Sequence, residues 1–94
     1  MTDRRPELPD GLDLVRTTEI FDNDTVPAGL LRAHRIAKDV WGRLVVHSGS
    51  LDLVFEDGDT AIGLAEGDTQ AIPPDQPHHV AMTGPASFVV EFYR

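Results

Sequence analysis

From Trp41 to Tyr93 no stretch holds a helical period; the chain strings together short runs of β-forming residues, with glycine or proline in the gaps. In Leu51, Leu53 and Phe55 the apolar side chains stand two apart, with Asp52 and Glu56 out of phase. That is the period of a strand with one buried face. Glu56-Asp57-Gly58-Asp59 follows as a hairpin turn, the Asp-Gly pair being its strongest token. Similar runs at Leu12–Thr17, Leu30–Ala37, Trp41–His47, Thr60–Leu64, Gln70–Ile72, His78–Met82 and Ser87–Tyr93 predict about eight strands. Ser48-Gly49-Ser50 reads as a break between two of them, Phe21 to Asp24 as a turn, and Val26-Pro27-Ala28-Gly29 as the entry to the second strand. Only Arg32–Lys38 has a mildly helical composition. Short strands joined by tight turns predict an all-β, antiparallel sandwich or barrel.

With 94 residues the chain is expected to form one domain, residues 1–10 being a loose polar arm with two prolines. A chain this short buries only a little over ~60% of its unfolded surface, so a homodimer that covers edge strands is expected. There is no cysteine, so any metal must rest on His, Asp or Glu. Sixteen acidic residues against eight basic ones give a net charge of −8. That balance opposes nucleic acid and anionic membranes as partners, since both are bound by clustered Lys and Arg. No apolar run follows the N-terminal arginines, and none reaches the ~18–20 residues of a membrane span, which predicts a cytoplasmic protein.

Chemistry concentrates in a few side chains. Pro73, Pro74 and Pro77 stiffen a corner that delivers His78 and His79 to the start of a strand. Adjacent strand residues face opposite ways, and His78 shares its parity with Val80 and Met82, the expected buried face. His34 lies in a run with polar groups on both faces, so one of those faces must look at something other than a plain core. In Phe88 to Tyr93 the face of Phe88, Val90 and Phe92 leaves Glu91 on the other side. There Glu91 is available to a metal or to Arg43 if that side lines a cavity, and is a surface charge if it does not. Arg43, set between hydrophobic neighbours, calls for a carboxylate or an anion. Phosphate-binding glycine loops, dinucleotide fingerprints, Gly-x-Ser-x-Gly elbows and zinc-protease helices are absent from the sequence.

Five residues separate Gly67 from Pro73, one separates Pro73 from Asp75, and two separate Asp75 from His78. This spacing resembles the second conserved motif of the cupin superfamily, with Asp75 at a motif glycine and Met82 at its asparagine. Of the first cupin motif, Gly49 fits the closing glycine, while the glutamate position falls on Gly42. His34 stands one residue beyond the place of the first motif histidine, and the second has no counterpart. A fuller resemblance runs through Val26-Pro27-Ala28-Gly29, the His34 segment, Trp41-Gly42-Arg43-Leu44, Pro73-Pro74 with His78, and Glu91-Phe92-Tyr93. These match the small cupin-like family of TehB and YeaR.

The resemblance implies a small cupin-like β-barrel, a double-stranded β-helix or jelly roll. It places His34, Arg43 and His78 on recurring polar positions of the family and Glu91 on a variable one. In TehB such a domain precedes a methyltransferase linked to tellurite resistance; this sequence has no such segment, so methyl transfer is not expected of it. The expectation is a divalent metal (zinc, iron, nickel or manganese) held by His34 and His78, with Glu91 as third ligand. Arg43, next to Trp41, would orient a small anionic ligand. The alternative is a metal-free binding or sensor pocket made by the same residues, without turnover.

Overall fold

The alternating pattern is realised as an antiparallel, all-β fold organised around one long strand. The computed structural model describes residues 5–58 and 60–94, so residues 1–4 of the expected arm and Asp59 of the expected hairpin lie outside it. The strands in chain order are β1 (Leu14–Thr17), β2 (Phe21–Asp22), β3 (Trp41–Phe55), β4 (Thr60–Ala65), β5 (Thr69–Ile72), β6 (His78–Ala81) and β7 (Ala86–Tyr93). The first half of β3 pairs with β5 on one side and β7 on the other, and β7 also carries β1 and β2. The second half of β3 pairs with β4 and β6. One strand therefore passes through both half-sheets, and the apolar side chains between them form the core.

Ser48-Gly49-Ser50, which reads as a break, lies inside β3. The register against β7 shifts between Val46 and Ser48, a bulge that slips the side-chain alternation by one. Leu44 and Val46 point into the core before it, and Leu51, Leu53 and Phe55 after it. Gly49 makes this crossing possible: its φ is 71°, and a Cβ there would overlap the Pro85 carbonyl oxygen. Leu44, Val46, Leu51, Leu53, Ile72 and Phe88 are fully buried, each contributing about 1.5–3 kcal/mol by leaving water.

The expected second strand, Leu30–Ala37, does not form. Pro27 fixes a 3-10 turn over Ala28–Leu31, with the Leu30 N–H donating to the Pro27 carbonyl at 2.9 Å. The segment after it touches the sheet through a single bridge, His34 to His78, before a turn in which Asp39 has φ 69°. Of the N-terminal arm, Pro6 is tied down: its carbonyl accepts from Nε2 of the buried Gln70 at 2.9 Å.

Candidate functional site: a cavity with two imidazoles

The proline corner is built to present His78. Asp75, standing where the motif has glycine, adopts φ 57°, a left-handed conformation that Asp tolerates better than most residues. Its N–H donates to the Ile36 carbonyl at 3.0 Å, which pins the corner to the 32–37 segment. His78 then lies directly opposite His34, the N–H of each donating to the carbonyl of the other at 2.9 Å. Opposite residues of an antiparallel pair share a face, and the ring centroids are 4.1 Å apart.

Backbone carbonyls set the tautomer of both rings. Nδ1 of His78 donates to the Gln76 carbonyl at 2.8 Å, and Nδ1 of His34 donates to the Arg32 carbonyl at 3.0 Å. A carbonyl only accepts, so in the neutral rings each Nε2 keeps a lone pair. Neither Nε2 has a partner among the described residues. His78 is 2% exposed. Burial pushes its pKa below the ordinary histidine value, with His34 and His79 adding to the effect and the bond to Gln76 opposing it. His79 faces the other way and contacts the Glu56 carboxylate.

The two rings border a cavity of about 450 Å³, within the range of small-molecule sites. Leu44, Ile72, Val80, Val90 and Phe92 form its wall, and Leu30, Ile36 and Val40 help to cover it. Arg16, Thr18 and Arg35 add polar groups. Arg35 is paired with Asp75 at 3.4 Å. Arg16 has its guanidinium 4.9 Å over the Phe92 ring and no carboxylate partner among the described residues. Sequence reasoning missed Arg16 because of another bulge: Leu14 stands opposite Tyr93, yet Arg16 stands opposite Phe92. The extra residue turns Arg16 onto the face of Phe92, and plain alternation carries no trace of it.

Glu91, Arg43 and Trp41 are not brought to the histidines. Arg43 stands opposite Glu91 and Trp41 opposite Tyr93 in the β3–β7 register, and none of the three borders the cavity. Phe88, Val90 and Phe92 take the inner face of β7, which puts Glu91 outside by strand parity. There Arg43 Nε donates to Glu91 Oε1 at 2.7 Å, Nη2 completes the ion pair 2.7 Å from the same oxygen, and the Tyr93 hydroxyl donates to it at 2.8 Å. Among the described residues no three His, Asp or Glu side chains are grouped to hold a metal. A divalent ion at the cavity would therefore have two imidazole nitrogens as protein donors, one fewer than the usual open zinc site.

This architecture has solved counterparts. An Escherichia coli K12 protein is 21% identical, with TM-score 0.87 over 95% of this chain and 88% of its own. TehB from Haemophilus influenzae is 21% identical with TM-score 0.80, covering 89% of this chain but only 32% of TehB. A cupin-2 domain protein from Shewanella frigidimarina is 21% identical with TM-score 0.57, over 94% of this chain and 76% of its own. No curated protein matches the sequence. At these identities the likeness shows the fold, and the fold is that of the cupins, a small antiparallel double-stranded β-helix. The sequence pattern of the TehB-like domain matches residues 16–90, and the chain belongs to that family.

Proposed function

We propose that this protein binds a small molecule in its barrel cavity, with the Nε2 atoms of His34 and His78 as the polar anchor. The observation that carries the reading is the pair of backbone bonds to Nδ1, which leaves two lone pairs without partners at an otherwise largely apolar cavity. A donor that reaches either nitrogen makes a hydrogen bond worth about 0.5–1.5 kcal/mol net, and an apolar body attached to it is buried against the cavity wall as well. The neutral state of His78, favoured by burial, is the state that accepts.

One feature favours a metal-assisted version. An imidazole whose second nitrogen donates to a carbonyl is oriented and made more basic, as in metal centres. His34 and His78 would be the protein donors for zinc, iron, nickel or manganese, and a bound ion would polarise an oxygen of the ligand. Glu91, engaged by Arg43 outside the cavity, is not in their company. The acidic, cysteine-free sequence supports a cytoplasmic setting, and the exposed Leu14 and Val15 on β1 support the expected homodimer.

The test is titration of protein carrying ¹⁵N-histidine with phenol, with toluene and with zinc(II), reading the ring nitrogens. Phenol, which has an O–H donor, should shift Nε2 of His34 and His78, and toluene should not. Stoichiometric zinc lost in both His34→Ala and His78→Ala would establish the metal-assisted version. If neither phenol nor zinc moves either nitrogen, the reading is wrong.

A further inference from the structure

We propose that Arg16 is the anion-binding group of the cavity and that the natural ligand is an amphiphilic monocarboxylate. Its carboxylate would sit on the Arg16 guanidinium and its apolar body against the cavity wall. This rests on the small-molecule reading above but concerns a different residue and a different part of the ligand.

Four observations converge on it. Arg16 borders the cavity and is placed there by the β1 bulge, without which it would share the outer face of β7 with Glu91 and Tyr93. Its guanidinium lies over Phe92, an inner-face residue of the same cavity, which holds the fork without consuming its in-plane N–H donors. In a chain with net charge −8, Arg16 has no carboxylate partner among the described residues, whereas Arg35 and Arg43 are both paired. The wall it opens onto is aliphatic and aromatic, suited to a hydrocarbon chain or ring.

The same surroundings select the charge of the ligand. Thr18 is the hydroxyl side chain among the residues lining the cavity, and it is already committed: Oγ1 donates to the Glu19 carbonyl at 2.9 Å and accepts from the Val90 N–H at 3.0 Å. A phosphate dianion would need several cations or free N–H groups to replace its water. A single planar guanidinium matches a carboxylate. The mouth of the cavity therefore suits one negative charge on an apolar body.

The experiment is calorimetric titration of the full chain with octanoate, octanol and octylamine, for wild type, Arg16→Gln and Arg16→Lys. Wild type should bind octanoate roughly threefold to fivefold more tightly than octanol, as expected for an exposed charge pair, and octylamine most weakly. Arg16→Gln should erase the preference; Arg16→Lys should keep part of it. Salt gives a readout that needs no variant, since raising it should weaken octanoate and not octanol. Equal affinity for octanoate and octanol in wild type, or a preference that survives Arg16→Gln, would overturn the proposal. If phenol leaves the imidazoles untouched while the Arg16-dependent preference for octanoate is present, the imidazole anchor falls and the carboxylate site stands. If phenol shifts them and octanoate shows no preference, the reverse holds.

Discussion

The wall formed by β3 and β7 has a polar cluster beyond each of its faces, and the two differ in what they leave over. On the outer face Arg43, Tyr93 and Glu91 close on one another through two hydrogen bonds and an ion pair to one oxygen. Burial works against the charge on Glu91, but the bonds from Arg43 and Tyr93 outweigh it and hold the carboxyl below its ordinary range. On the inner side His34 and His78 spend one nitrogen each on a backbone carbonyl and leave the other unused. The lesson is that residue type did not separate these clusters. Arg, Glu and His all look like site residues in a sequence, and only the count of satisfied donors and acceptors shows which group has capacity for a ligand.

The strongest way to break the contrast is to disturb the strand that serves both clusters. Gly49→Ala should cost about 3 kcal/mol, combining a left-handed alanine with overlap against the Pro85 carbonyl, and urea denaturation would measure it. A cost below ~1 kcal/mol would mean that β3 can cross between the half-sheets without its glycine bulge.

A smaller change sharpens the comparison. Arg43→Met should cost about 1 kcal/mol, because the pair is partly exposed and screened, and should leave the phenol response of His34 and His78 intact. Loss of that response would show that the clusters are coupled through the wall and that the contrast is false.

The smallest effect lies in the pH dependence, where each cluster has its own window. The folded pKa of His78 is depressed, so between it and the ordinary 6.5 the unfolded chain binds a proton that the folded chain refuses. Stability should fall as pH drops through that window, and His78→Gln should flatten the fall. Glu91 is also depressed, and its contribution should be lost only lower, as pH falls through 4.5 and on to its folded value. Arg43→Met should flatten this second window and not the first. Both profiles follow from urea midpoints across pH, and a His78→Gln profile identical to wild type near 6.5 would remove the assignment.

Much of the fold was legible. Strand period, glycine and proline spacing gave the all-β architecture, and parity placed His78 inward and His79 outward. The Gly67 to His78 spacing located the corner, and Asp75, at the motif's glycine position, adopts a left-handed backbone. The expected strand Leu30–Ala37 misled because Pro27 fixes a turn over Ala28–Leu31, and that turn decides the local path. Ser48-Gly49-Ser50 misled in the opposite sense, since a bulge and a turn share the same composition and differ only in what lies across from them.

The sequence by itself determined the class of fold, the buried stripes of Leu51–Phe55 and of Phe88–Phe92 and the residue that ends the proline corner, because these depend on period and on backbone preference, which are local. Tertiary structure decided which polar residues meet. His34 reaches His78 across a single bridge, Glu91 is taken by Arg43 on the far side of the wall, and a bulge of one residue turns Arg16 toward the cavity. Each of these depends on register between segments far apart in the chain, and register is fixed by the packing of the whole barrel rather than by any stretch of it.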